Sequence, residues 1–288
     1  MSEPCRSFQS AEYESFRASV PQRKIIVDEY STKPWICYVC GPKTVRTPLI
    51  FLPPVCGRAD CYYKQLMALS AKGYRVLSLE WPTYWTAEEF CDALFRVLDV
   101  LQIRQAHFFG ASLGGFLALK FAEIDSRRVA SIILCNSFID TNIFDRQNSA
   151  FFFWALPGMF LKRMVLGGFP TTALDLEIVE SIDFMVDSLE SIRQSELASR
   201  LTVNCTRSHC NPSGIAHLPV TIIDVFDECA LTQRAREDVR KAFPNAKKAH
   251  LKTGGNFPFL SRSSEVNMHI QIHLRQFERS PLSALESS

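Results

Sequence analysis

Short apolar runs alternate with amphipathic stretches along most of this chain. Ile25-Ile26-Val27 and Trp35 to Val39 read as two early strands, the second ended by Gly41-Pro42. Pro48 to Leu52 is a continuous apolar run before Pro53-Pro54, the pattern of a strand buried on both faces. Cys61 to Lys72 reads as a helix stopped by Gly73, and Tyr74 to Leu79 as the next strand. Thr86 to Leu101 carries Leu94, Val97, Leu98 and Leu101 at helical spacing. Thr86 is placed to cap it, and Glu89 to complete a capping box. Ala106 to Phe109, Val129 to Cys135, Pro219 to Val225 and Lys248 to Lys252 are further strands. Phe116 to Ala122, Ala235 to Phe243 and Glu265 to Phe277 are further helices. This rhythm predicts an α/β fold with a mostly parallel central sheet flanked by helices. Between Thr141 and Ser199 it breaks into helical segments without a clear strand. One sheet domain, residues 1–140 and 205–288, interrupted by a helical cap at residues 141–204, accounts for the pattern.

Composition narrows the function classes. A net charge of +2, with both signs mixed along 288 residues, gives no electrostatic case for nucleic acid. The opening residues MSEPCRSFQS are polar and lack an apolar signal core, so the ten cysteines are expected as free thiols in the cytosol. The most apolar stretch, Ser149 to Phe169, contains Pro157-Gly158 and Lys162-Arg163, which argues against a membrane span and leaves room for peripheral contact. Cys37-x-x-Cys40 with Cys56 and Cys61 imitates a zinc ribbon. Strand residues three apart point to opposite faces, so no metal is expected there. No cofactor is expected either.

The chemistry concentrates at Gly110-Ala111-Ser112-Leu113-Gly114, a G-x-S-x-G match between an apolar strand and a helix. That context is what a nucleophile elbow needs, and the N–H of Leu113 would face an oxyanion. Pro53-Pro54 lack N–H groups, so a second oxyanion donor falls to Val55. Asp227, just past the strand Pro219 to Val225, is the acid candidate, with Asp224 a weaker rival inside the strand. The base is missing. In Lys252-Thr253-Gly254-Gly255-Asn256-Phe257-Pro258 the place for histidine holds Asn256, and an amide cannot carry a proton to a leaving group near neutral pH. His107, His209, His217, His250, His269 and His273 all have ordinary surface or core explanations. In the cap, Phe151, Phe152, Trp154 and Phe160, with Phe153, Met159 and Met164, are candidates for an adaptable apolar contact surface as well as for cap packing.

The segments PLIFLPPVCG, FGASLGGFLA, SIILCNSF, IDFMVDSLES, QSELASRL, VTIIDVFD and HLKTGGNFPFL give the chain a resemblance, from about Val20 to Phe277, to the α/β-hydrolase-fold superfamily. Within it the chain is similar to a branch regarded as non-catalytic, in which Asn256 belongs to the pattern. The resemblance implies an α/β-hydrolase fold with an inserted helical cap and a cytosolic adaptor associated with endosomal and trans-Golgi membranes. It implies two protein partners: the hydrophobic cytoplasmic tail end of a T-cell co-receptor, whose signalling the adaptor would restrain, and an aldehyde dehydrogenase relative. The alternative is a slow serine hydrolase using Ser112 with Asp227 and a non-standard base.

Overall fold

The computed structural model describes residues 10–27, 34–144, 153–169 and 175–278. Eight strands form one sheet: β1 Arg23–Ile25, β2 Trp35–Cys40, β3 Leu49–Leu52, β4 Val76–Glu80, β5 Ala106–Ala111, β6 Val129–Cys135, β7 Val220–Val225 and β8 Lys247–Leu251. Their order is β1-β2-β4-β3-β5-β6-β7-β8. β1 and β2 are antiparallel to their neighbours, and the other six strands run parallel. Every residue of β3, β4, β5 and β7 is buried. Helices cover both faces of such a sheet, which is why its strands are unbroken apolar runs and not alternating ones.

Among the described residues ten α-helices surround it: α1 Ala11–Ser19, α2 Tyr63–Ser70, α3 Ala87–Val100, α4 Leu113–Ile124, α5 Gly158–Leu166, α6 Leu176–Ser191, α7 Gln194–Cys205, α8 Gln233–Ala242, α9 Pro258–Ser261 and α10 Ser263–Arg275. Several differ from expectation, among them the four-residue α9, which the apolar pattern does not mark. α1 has no counterpart in the sequence reading, because only Tyr13 and Phe16 of its nine residues are buried and its apolar stripe is thin. α4 starts at Leu113, three residues early, since Gly114 and Gly115 mask helical periodicity. At α3 the Thr86 hydroxyl accepts from the N–H of Glu89 (3.1 Å), but the Glu89 carboxylate accepts from Trp85 (2.8 Å) and not from the cap residue itself, so the capping box is shifted by one position.

α5, α6 and α7 lie between β6 and β7 in the chain. The two ends of this segment are tied by a bridge between Asp140 and His209, and the N–H of Cys210 donates to Ile139 O at 2.8 Å. Among the described residues no helix is long and apolar enough to cross a membrane. No disulfide links the described cysteines, and Cys37, Cys40, Cys56 and Cys61 are all buried.

A buried polar chain crosses the far side of the sheet. Ser131 Oγ lies 2.7 Å from His107 Nδ1 and 2.6 Å from His273 Nε2, and Thr221 Oγ1 lies 2.7 Å from His273 Nδ1. Phe277 packs against both rings. Burial lowers the pKa of His107 to about 4; burial, then the neighbouring His107 and Lys247, lowers that of His273 to about 3. Both folded values lie below the unfolded value near 6.5, so the unfolded chain binds protons first as pH falls. The stability these neutral rings provide is complete above pH 6.5 and is lost as pH falls toward 4 for His107 and toward 3 for His273, about 3 and about 5 kcal/mol respectively. Urea unfolding at a series of pH values should show this loss, and His107→Gln/His273→Gln should flatten the slope in that window. An equal slope in the double variant would assign the acid sensitivity to carboxylates.

Candidate functional site at the strand-to-helix elbow

The turn from β5 into α4 carries Ser112 at φ 49° and ψ −117°, a conformation that L residues rarely adopt. Three contacts over-determine it. The N–H of Ser112 donates to Cys135 O at 3.1 Å. Its carbonyl accepts from the Ser137 hydroxyl at 2.9 Å and from the N–H of Gly115 at 3.0 Å. The glycines permit the crossing of strand and helix: a Cβ on Gly110 would lie 2.3 Å from Gly115 N, and one on Gly114 2.1 Å from Leu52 O. Ser112 is half-buried, and among the described residues its hydroxyl has no hydrogen-bond partner.

Asp227 sits two residues past β7, half-buried. One oxygen, Oδ2, accepts from Thr253 Oγ1 (2.8 Å) and from the N–H groups of Gly254 (2.9 Å) and Gly255 (3.0 Å). The other oxygen, Oδ1, is buried with no partner among the described residues. Asn256 follows directly. Its Oδ1 accepts from the N–H of Ala230 at 2.6 Å, and its buried Nδ2 has no partner among the described residues. The β8–α9 loop is thus bound to Asp227 through two backbone N–H groups and the Thr253 hydroxyl, while the Asn256 side chain ties it to the loop after Asp227. Asp224, the rival acid, is fully buried and held by Arg240 at 2.8 and 3.0 Å, which commits it to a structural ion pair.

The loop after β3 places Val55 near the surface of the core, at the margin of burial. Neither the N–H of Val55 nor that of Leu113 donates to another group among the described residues. The Val55 carbonyl is fixed from the cap: Arg200 of α7 donates from Nη1 to Gly57 O (2.6 Å) and Val55 O (3.3 Å). Its guanidinium is fully buried, 5.0 Å from the Trp81 ring and 3.5 Å from Glu80 Oε1. Glu80 also holds Arg58 (3.4 Å) and the N–H of Ala59 (3.2 Å).

Among the described residues no histidine hydrogen-bonds Ser112. His107 and His273 belong to the buried chain described above, His209 pairs with Asp140, and exposed His250 stacks on Phe226. In the cap, Trp154 is 63% exposed and Phe160 53%, whereas Phe153 is buried, so it serves packing and not contact. Phe151 and Phe152 lie outside the described residues. Met159, Phe160 and Met164 share the outward face of α5, opposite the buried Leu161.

Two contributors escape a sequence reading. Asn136, at φ 41°, donates from Nδ2 to Gly255 O at 3.0 Å and so steadies the asparagine loop; asparagine at a strand end, a residue tolerant of positive φ, was the available signal. Arg200 looks like any surface arginine of an amphipathic helix until its depth is known.

The model of the alpha/beta hydrolase fold matches residues 47–181. The chain is 54% identical to maspardin of Danio rerio over 278 residues, spanning 96% of this chain and 89% of that protein. It is 53% identical to maspardin of Homo sapiens over 281 residues, 97% and 91% of the two chains. A thermophilic esterase of Thermogutta terrifontis superposes with a TM-score of 0.73 at 16% identity, covering 90% of this chain and all of the other. An enol-lactonase of Burkholderia xenovorans gives 0.71 at 19%, covering 84% and 96%. Likeness at such identities speaks for the fold alone. With more than half its residues shared across nearly its full length, the chain belongs to the maspardin family of α/β-hydrolase-fold proteins.

Proposed function

We propose that this protein is a non-catalytic binding module on a hydrolase scaffold, with Ser112 a vestigial nucleophile, Asp227 in the acid position and Asn256 in place of histidine. The observation that carries the reading is the Asp227 carboxylate with one buried oxygen open, beside an amide that turns its own acceptor to Ala230. An acid with no imidazole to orient does no acid–base work. The domain division at residues 141–204 is part of the same reading: the cap serves as the binding element. The exposed α5 face, with Trp154, Met159, Phe160 and Met164, supports an apolar protein segment as ligand. The family resemblance points to the apolar cytoplasmic tail end of a T-cell co-receptor-like membrane protein, with restraint of its signalling or its endosomal and trans-Golgi sorting as the role. An aldehyde dehydrogenase relative is a second partner by the same route.

Titration with a labelled synthetic peptide of that tail end is the test. Phe160→Asp should weaken binding by at least about 10-fold, as loss of an aromatic anchor does. Ser112→Ala should leave it unchanged. Equal binding by Phe160→Asp and the parent protein would remove α5 from the interface. The strained elbow favours one competing reading, a slow serine hydrolase. Fluorophosphonate labelling of Ser112 in the parent protein, well above a denatured control, would support that reading instead.

A further inference from the structure

A groove of about 930 Å³ runs between the first turn of α1, the outer face of α6 and the start of α10. Its floor on α6 is the stripe Leu176, Val179, Glu180 and Asp183, spaced as one helix face. Leu176 is 71% exposed and Val179 39%, so nothing in the chain covers this stripe among the described residues. The walls add Glu12 and Glu265. With Glu177 these make five carboxylates against two bases, Lys64 and Arg262, a local charge of −3 in a chain whose net charge is +2. Both bases are engaged: Arg262 with Asp175 and Glu177, and Lys64 with the carbonyl of Leu260 at 3.0 Å.

The acids divide by cause. Glu12 and Glu265 stand in the first turns of α1 and α10, where the helix dipole stabilises a carboxylate. Glu180 and Asp183 lie inside α6, one turn apart, with no ion pair among the described residues. Like charges at that spacing destabilise a helix slightly, and no ion pair among the described residues offsets them. Beside them lie two exposed apolar side chains in a concave surface. A matching ligand offsets that repulsion with positive charge and covers the apolar residues as well.

We propose that this groove docks a short cationic segment of a partner protein, one in which lysines or arginines flank an apolar residue. Leu176 and Val179 would receive the apolar residue, and Glu180, Asp183 and Glu12 the basic ones. The negative field disfavours anionic lipid and nucleic acid at the same place. The groove is a second surface, apart from the α5 face, and does not depend on the role proposed for that face.

Fluorescence anisotropy with a labelled nonapeptide of alternating lysine and leucine tests this at 50 mM salt. Glu180→Lys/Asp183→Lys should weaken binding by at least about 10-fold, as reversal of two contacting charges does. Glu88→Lys/Asp92→Lys, an equal change of net charge on exposed residues of α3, should leave it unchanged. Leu176→Ser, which alters no charge, should weaken it about 3-fold or more. Equal weakening by the α3 variant would mean attraction by net charge only and overturn the proposal. So would binding that survives Glu180→Lys/Asp183→Lys, or a peptide with serine for leucine that binds as well. Circular dichroism of each variant checks that the folds are comparable.

Discussion

Asn256→His should turn this chain into a measurable esterase, with p-nitrophenyl acetate hydrolysis rising about 10²- to 10⁴-fold over the parent protein, the usual worth of a positioned acid–base. The expectation rests on the other residues of the proposed site. Ser112 holds the strained elbow conformation, and its hydroxyl is uncommitted among the described residues. Leu113 and Val55 offer N–H groups that no other described group takes up. Asp227 is already oriented by Thr253, Gly254 and Gly255 through one oxygen, and its other oxygen is buried and open. An imidazole at position 256 supplies an Nδ1–H for that oxygen and leaves Nε2 to take the Ser112 proton. The substitution removes the bond from Ala230 to the Asn256 amide, a loss of about 1 kcal/mol that a folded domain tolerates. Adding Ser112→Ala to Asn256→His should return the rate to its starting value, which separates triad chemistry from a stray surface histidine. A natively folded Asn256→His protein with no gain in rate would show that the oxyanion side has closed as well, and that the base is not the sole loss.

Much of this geometry is legible in the sequence. Unbroken apolar runs such as Pro48 to Leu52 identified strands buried on both faces, because a parallel sheet covered by helices leaves no polar face to alternate with. Gly110 and Gly114 announced the elbow, because strand and helix backbones approach there too closely for any side chain. The long-range consequences were not legible. Nothing local marks Asn136 as the residue that ties β6 to the asparagine loop, or the Asn256 amide as bound to Ala230. Those bonds join positions far apart in the chain, and periodicity carries only near-neighbour information. α1 escapes the periodic pattern for a different reason. Its few anchors, Tyr13 and Phe16, pack on Tyr63, Tyr38 and Phe184, and the Tyr13 hydroxyl donates to Asp60 at 2.8 Å. Tertiary contact, not an apolar stripe, holds that helix.

The same reasoning puts the largest stability effect at Glu80, a residue with no part in the elbow. Glu80→Gln should lower the unfolding free energy by about 3–5 kcal/mol, because it leaves a fully buried guanidinium without its counter-charge. Burial pulls the Arg200 pKa down, and the Glu80 carboxylate is the largest influence pushing it back up. Arg200→Met should cost less, about 1–3 kcal/mol, since Glu80 keeps Arg58 and the N–H of Ala59, while the bonds to Val55 and Gly57 and the charge contacts with Trp81 and Glu80 are lost. The order is informative: a generic cap-anchoring role would make Arg200→Met the worse change. The double substitution should be milder than the sum of its parts, as expected when the second change removes the charge that the first left stranded. Urea unfolding with an unchanged m-value measures all three. Additive losses, or a Glu80→Gln protein within about 1 kcal/mol of the parent, would mean that water reaches the Arg200 guanidinium and that the cap is not fastened to the Val55 loop through a dry ion pair.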